Sequence, residues 1–332
     1  MKRRRIFISI LIVLAVIIAI ATGSYLTINN KLSKLNTTKI PQDASNLGID
    51  TEKFNINSDN NSIEENYINI LLLGVDTMNQ TNKDTGRADS NIILTIDKAH
   101  KKIKLTSLMR DMLMNNVGNK PQDKLTHAYA YGGPKLSLKV VNENLNLNIQ
   151  DFVKVNFTSF YKIVDALGGV DINVADSEIK VINRYIKEVA LMEKKTPAYL
   201  THGGTQRLNG IQALAYCRIR YVGNGDFERT QRQRAVLTEI FNKISSMNLS
   251  KASSVLDTVL SDVETSLSKK EILSYTSYAI INNIKTVDQF RLPEDKTGYS
   301  TNRMINGVFY LDWNREGNIK DLHQFIFEGD LE

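Results

Sequence analysis

Five arginines, Arg218, Arg220, Arg229, Arg232 and Arg234, fall within seventeen residues of a chain that holds fifteen in all. They belong to the stretch Ala213–Arg234, ALAYCRIRYVGNGDFERTQRQR. Arginine presents a planar fork of donors that grips phosphate or carboxylate in bidentate fashion. Two aspartates, Asp76 and Asp89, and two further arginines, Arg87 and Arg110, lie upstream and read as the other half of one anion-binding centre. Two carboxylates with no nearby His or Cys suit a hard cation such as Mg²⁺, completed by phosphate oxygens of a substrate. Either aspartate taken alone could equally cap a turn.

The elements that must position these groups follow from local pattern. A long helix is expected from an N-cap at Asp226 to about Met247. At about 100° per residue, Arg229 and Gln233 continue the apolar stripe of Val236, Ile240 and Ile244. Arg232 lies near the stripe's edge, and Gln231 and Arg234 point away, so Arg234 is expected on a solvated face. A charge on a core-facing stripe needs a partner, and an anion at the first turn of a helix would be one. Arg218 and Arg220 follow a short helix, Ile211–Cys217, and share one side if that segment is extended. Salt bridges to nearby acids are the alternative for this pair.

Tyr67–Gly74 is a near-continuous apolar run, as expected of a strand buried on both faces, and Val75-Asp76 ends it. In open α/β sheets, ligands gather at the carboxyl ends of strands. The polar stretch Met78–Gly86 is expected as a loop. Further strands are expected at Asn91–Asp97, Lys102–Leu108, Phe152–Phe157, Val170–Val174, Val287–Leu292 and Val308–Trp313. Helices are expected at Lys124–Tyr131, Lys135–Asn144, Thr158–Leu167, Lys251–Leu260, Lys269–Asn283 and Ile319–Phe327, while Ala175–Thr201 reads as irregular with some helix. The interleaving predicts an α/β (α+β-like) fold: one mixed central sheet with helices on both faces.

The formal charge of +6 owes four units to Lys2, Arg3, Arg4 and Arg5, so the remainder is only about +2 and does not support nucleic-acid binding. Those basic residues (1–5) precede an apolar segment (6–26) that reads as a transmembrane signal-anchor with its basic end in the cytoplasm. Ala19-Ile20-Ala21 offers a cleaved signal peptide as the alternative. Residues 27–66 are polar and read as an extracellular stalk, and 67–332 as the folded external domain. Cys217 is the only cysteine, which excludes an internal disulfide and a multi-cysteine zinc site. A cysteine-poor exterior fits a Gram-positive surface. His127 reads as structural, and the chain has no G-x-S-x-G and no Walker loop.

In series, NILLLGVD (Asn69–Asp76), RADS (Arg87–Ser90), SLMRD (Ser107–Asp111) and KLTHAYAYGG (Lys124–Gly133) resemble the LytR-CpsA-Psr family of membrane-anchored cell-wall glycopolymer transferases. VDALGGVDI (Val164–Ile172), LNGIQALAYCRIR (Leu208–Arg220) and GDFERTQRQR (Gly225–Arg234) continue the likeness. The resemblance implies an α-β-α fold with a hydrophobic cleft for a polyprenyl chain, its pyrophosphate lying among arginines with Mg²⁺ (or Mn²⁺). The implied reaction moves a teichoic acid, capsule or other wall polysaccharide from a polyprenyl-pyrophosphate carrier to peptidoglycan. The acceptor would be the C6 hydroxyl of N-acetylmuramic acid, giving a phosphodiester. Carried onto this chain, Asp76 and Asp89 match the metal-associated aspartates. Arg87, Arg110, Arg218, Arg220 and Gln233 match the pyrophosphate-binding set, with Arg229 and Asp226 as neighbours. Asp76, Asp89, Arg110, Arg218 and Arg220 would carry catalysis, one aspartate taking the acceptor's proton. Ala88 and Glu228 depart from the pattern, and Glu228 adds a negative charge near the expected anion site. The rival readings are a membrane-anchored regulator, a protein that binds lipid-linked precursors without turnover, and a pyrophosphatase on the lipid carrier.

Overall fold

The computed structural model describes residues 36–41, 43–54, 66–76, 86–220, 222–223, 225–246, 255, 263–282, 284 and 286–328. The expected anchor, the loop after Asp76 up to residue 85 and, apart from residue 255, the helix expected at Lys251–Leu260 lie outside the described residues. Among the described residues no helix is long and apolar enough to cross a membrane.

The strands are β1 (Asn36–Thr37), β2 (Tyr67–Asp76), β3 (Arg87–Asp97), β4 (Lys102–Leu108), β5 (Leu113–Val117), β6 (Lys120–Lys124) and β7 (Asp151–Asn156). They continue with β8 (Val170–Val174), β9 (Gly204–Leu208), β10 (Glu264–Thr265), β11 (Val287–Leu292), β12 (Ser300–Ile305) and β13 (Val308–Trp313). The helices are α1 (Ala44–Leu47), α2 (Thr51–Phe54), α3 (Leu125–Leu145), α4 (Phe157–Ala166) and α5 (Ile179–Met192). After them come α6 (Gly210–Arg218), α7 (Asp226–Ser245), α8 (Lys269–Ile281) and α9 (Arg315–Phe327). Seven strands form one mixed sheet in the order β1-β10-β7-β2-β3-β4-β11. β2 pairs parallel to β7 and antiparallel to β3, and β4 pairs antiparallel to β3 and parallel to β11. This is the α/β arrangement expected.

β2 is apolar at nearly every position because its alternate side chains enter two different cores. Leu71, Leu73 and Val75 join α3 and α9 on one face, through residues such as Leu138, Leu145, Ile326 and Phe327. Ile70 joins Ile92 and Leu105 on the other, where Leu237 and Phe241 of α7 and Ile272 and Tyr275 of α8 pack. Full burial of each such side chain stabilises by about 1.5–3 kcal/mol. A third cluster unites α4, α5, α6, the antiparallel pair β8–β9 and Val236 of α7. α7 therefore touches both the sheet and this outer layer.

Three local expectations change. The two helices expected either side of Gly132-Gly133-Pro134 are one element, kinked where Gly132 and Gly133 leave helical backbone angles and Gly133 takes φ 62°. The stretch read as irregular with some helix holds a well-formed helix, α5, whose buried Ile182, Ile186, Val189 and Ala190 form a helical stripe. Part of the expected stalk is docked on the domain: β1 pairs with β10, Leu47 is fully buried, and Asn142 Nδ2 donates to the Leu47 carbonyl at 2.9 Å. Ile40 and Leu47, with the partly buried Ile49, pack this otherwise polar segment against the core.

Candidate functional site

A break in strand register builds the acidic wall. Gly74 pairs with Ser90, but Val75 pairs with Ala88, so Asp89 is an extra residue on β3. Such a bulge re-aims side chains. Ser90 and Ile92 line the cleft as alternate residues, and without the bulge Ala88 would follow them. Instead Ala88 turns into the opposite core and Asp89 joins Ser90 over the cleft. The Asn91 side chain locks the bulge by donating to the Ala88 carbonyl at 3.0 Å. Asp76, at the end of β2, lines the same cleft.

Three arginines close on Asp89 from different elements. Arg110, just past β4, donates from Nη1 to Asp89 Oδ1 at 2.6 Å. Arg220 donates from Nη2 to Asp89 Oδ2 at 3.3 Å. Arg229, on the first turn of α7, donates from Nη2 to the Asp89 carbonyl at 3.1 Å and to Asp226 Oδ2 at 2.9 Å. Asp226 also lies 3.7 Å from Arg220 and 3.8 Å from Arg110. It is the first helical residue, with Gly225 at the N-cap, so the expected capping role gives way to ion pairing with arginines.

Arg218 is held differently. It is the last residue of α6, and Ile219 then adopts extended angles (φ −60°, ψ 124°), so both Arg218 and Arg220 reach the cleft. The start of α6 is fixed by the Asn209–Gln212 capping box and by Gly210, where a Cβ would collide with the Tyr161 carbonyl. The Arg218 guanidinium lies 5.1 Å from the Phe157 ring centre and 5.5 Å from that of Tyr185. Among the described residues no carboxylate is within ion-pair distance of it, and its buried Nη1 has no hydrogen-bond partner. Gln233 completes this wall: Ser90 Oγ donates to its Oε1 at 3.0 Å.

Burial raises the Asp89 pKa, but Arg110, Arg229 and Arg220 outweigh it and hold the carboxyl below the usual aspartate value. Arg229 is pushed down to about 10, chiefly by burial, with Arg220 and Arg110 adding repulsion. Buried Nε and Nη1 of Arg229 have no partner either. The cleft thus holds more guanidinium donors than its acids use. Its cavity is about 360 Å³ and its lining includes the apolar Leu72, Val155, Phe160, Leu214 and Leu237. Leu72 precedes Asp76 on β2 and Leu237 lies about two turns past Arg229 on α7, which sets the apolar lining toward the end away from Arg229.

The structure brings together Asp76, Asp89, Arg110, Arg218, Arg220, Asp226, Arg229 and Gln233. Arg87 stands apart: it pairs in register with Asp76 at the start of β3, is exposed, and does not line the cleft. Arg234 corrects the expectation of a solvated face. It is 7% exposed, and its Nε donates to Gln289 Oε1 at 3.2 Å, because the side of α7 away from the outer layer lies against β11. Arg232 is buried in ion pairs with Glu178 (2.6 Å) and Glu228 (2.8 Å). Glu228 is thereby paired with an arginine outside the cluster around Asp89. His127 is structural as expected, its Nδ1 at 2.9 Å from Asp123 Oδ1. Ser90, Phe157 and Tyr185 were missed. Ser90 had a signal, as the neighbour of Asp89, whereas the two aromatic residues come from helices the motifs do not highlight.

Asp76 and Asp89 offer hard oxygen donors on one cleft, which fits a cation such as Mg²⁺ only when phosphate oxygens complete its shell. Among the described residues the cluster of three metal-type ligands lies elsewhere, at Asp97, His100 and Glu328. There the Lys104 ammonium already stands 2.7 Å from Asp97 and 2.9 Å from Glu328.

A layered α/β domain whose cleft is guanidinium-rich at one end and apolar at the other defines a class: proteins that take an anionic head group and an apolar chain together. The chain belongs to the LytR_cpsA_psr family, whose sequence model matches residues 22–324. It is similar to the polyisoprenyl-teichoic acid–peptidoglycan teichoic acid transferase TagT of Bacillus subtilis (strain 168), at 33% identity over 251 residues, 74% of this chain and 72% of that one. A solved structure described as TagT bound to LIIa-WTA superposes with a TM-score of 0.64 at 29% identity, covering 80% of this chain and 91% of that chain. Another, of TagT with bound octaprenyl pyrophosphate lipid, gives a TM-score of 0.58 at 28% identity, covering 79% and 91%.

Proposed function

We propose that this protein transfers an anionic glycopolymer from a polyprenyl-pyrophosphate carrier to peptidoglycan, at the external face of the cell membrane. The observation that carries the reading is the convergence of Arg110, Arg218, Arg220 and Arg229 on the head of a cleft whose far end is apolar. A pyrophosphate with a prenyl tail has the same two-ended character. The transferase names of the relatives and the octaprenyl pyrophosphate of a structural neighbour support it.

The acceptor would be the C6 hydroxyl of N-acetylmuramic acid. Its oxygen attacks the phosphorus that carries the polymer, the bridging P–O bond breaks, and polyprenyl phosphate leaves with the bond's electron pair. A phosphodiester remains between polymer and wall. Arg218 and Arg220 neutralise the charge that builds on the leaving phosphate, and Arg110 and Arg229 orient the head group. Asp76 and Asp89 would hold Mg²⁺ (or Mn²⁺), which supplies Lewis-acid stabilisation of the phosphate oxygens. The hydroxyl's proton goes to an aspartate. Asp76 and Asp89 are the two candidates, and Asp89 is bound by two guanidiniums. The apolar segment of residues 6–26 would anchor the domain beside its lipid substrate.

Turnover with a lipid-pyrophosphate-linked polymer and peptidoglycan oligomers tests the reading. The wild-type protein should form polymer–peptidoglycan conjugate and release polyprenyl phosphate. Donor binding without conjugate would make the protein a carrier-lipid binder, and release of monophosphate to water alone would make it a pyrophosphatase.

A further inference from the structure

The bank of the cleft that carries Arg110 continues outward into side chains the proposed chemistry does not use. Arg110 Nε lies 3.4 Å from Asp111 Oδ2, and Lys124 Nζ donates to Asp111 Oδ1 at 2.7 Å. The Lys124 ammonium lies 5.7 Å from the Phe309 ring centre and 5.6 Å from that of Tyr310. The Tyr310 hydroxyl donates to Asp123 Oδ1 at 3.4 Å, and the Tyr131 hydroxyl donates to Asp123 Oδ2 at 2.8 Å. Lys120 stands over the Tyr131 ring at 5.0 Å. An unbroken series of contacts thus runs from Asp89 to three aromatic rings.

Their place in the fold is set by backbone. Arg110 follows β4 at the edge of the sheet where β2 also ends. The Thr126 N–H donates to the Arg110 carbonyl at 3.0 Å, and the Leu311 N–H donates to the Asp111 carbonyl at 2.8 Å. The start of α3 and the β12–β13 hairpin are therefore fixed to the edge from which Arg110 reaches Asp89. Tyr131 is 46% exposed and Phe309 39%, so both rings are open to solvent.

Exposed rings flanked by ammonium, carboxylate and hydroxyl groups suit a pyranose, which offers one C–H face to stack and a rim of hydroxyls to bond. An apolar protein partner would desolvate these charges and offer them no hydrogen bonds in return. Asp111 and Asp123 repel a nucleic acid. The Arg110 bank adjoins the head of the cleft, where an acceptor must meet the donor.

We propose that Tyr131, Phe309 and Tyr310 form a platform for the acceptor glycan strand, joined to the cleft through Lys124, Asp111 and Arg110. The proposal rests on the transferase reading of the cleft. Phe309→Ala and Tyr131→Ala test it, alone and combined, beside Tyr131→Phe, which keeps the ring and loses the hydroxyl. Each ring removed should raise the peptidoglycan concentration for half-maximal transfer roughly five- to tenfold, the scale of one lost aromatic contact, with donor affinity and thermal midpoint unchanged. Tyr131→Phe should match wild type in that dependence. Binding is measured separately by titrating glycan oligomers stripped of stem peptide and following amide NMR shifts. Unchanged acceptor dependence in the double variant overturns the platform, as does binding only when stem peptides are present. Wild-type protein that shifts at this surface with stripped glycan but forms no conjugate would instead overturn the transferase reading and leave the platform standing.

Discussion

The two walls of the cleft use one residue type in two ways. On the wall built by the β3 bulge, Arg110, Arg220 and Arg229 are held by carboxylates, Asp89 and Asp226, so part of their charge is already spent. On the opposite wall Arg218 is held by the faces of Phe157 and Tyr185, which fix its plane without matching its charge. The first arrangement is a scaffold that an anion joins. The second is a charge kept in reserve for the anion. Ion pairs therefore give the site its shape, while aromatic packing preserves its attraction.

That contrast can be broken most directly at Arg218. Arg218→Ala should lower the transfer rate about 10²–10³-fold, the scale of removing one transition-state donor. The thermal midpoint should stay near wild type, because no acid loses a partner; a large fall in the midpoint would show that Arg218 belongs to the scaffold. Arg229→Ala should weaken donor binding and also lower the unfolding free energy by about 1–3 kcal/mol, since Asp226 and the Asp89 carbonyl both lose a donor. Urea unfolding measures it, and a change below about 0.5 kcal/mol, the size expected of an ordinary surface substitution, would count against the scaffold role.

A smaller effect concerns pH. The folded Asp89 carboxyl sits below its ordinary value of 3.8, so its pairing stabilises the fold fully above that value. The contribution is lost as pH falls through the folded value. Asp89→Asn should remove this part of the acid dependence, leaving a flatter stability profile below pH 4; an unchanged acid limb would show that the arginines do not depend on the Asp89 charge. Smallest of all, Tyr185→Leu should weaken donor affinity by roughly 1 kcal/mol, about fivefold, by releasing one face of Arg218. Equal donor affinity in a direct titration would leave the clamp to Phe157 alone.

How much of this was legible differs by level. The buried β2 and the α/β class could be read from period, while the gathering of Asp76, Asp89, Arg110, Arg218, Arg220, Arg229 and Gln233 was implied by residue type together with the family resemblance. The phase of α7 correctly turned Arg229 and Gln233 inward. It failed at Arg234 because a helical wheel gives direction around one axis and says nothing of how many sides are covered. α7 packs against the outer layer and against β11, so a residue on its far side is buried as well. α5 was expected only as some helix without bounds within Ala175–Thr201, although Ile182, Ile186 and Val189 carry its period.

The chain by itself determined which groups are available: arginines in one dense run, aspartates at strand ends, and an apolar strand beside them. Local pattern suffices for that, since period and propensity act over a few residues. Only the tertiary structure decided how each charge is spent. The register slip that turns Asp89 into the cleft, and the rings that meet Arg218 from α4 and α5, join segments far apart in sequence. Their energies exist only once the layers pack, so no local pattern records them.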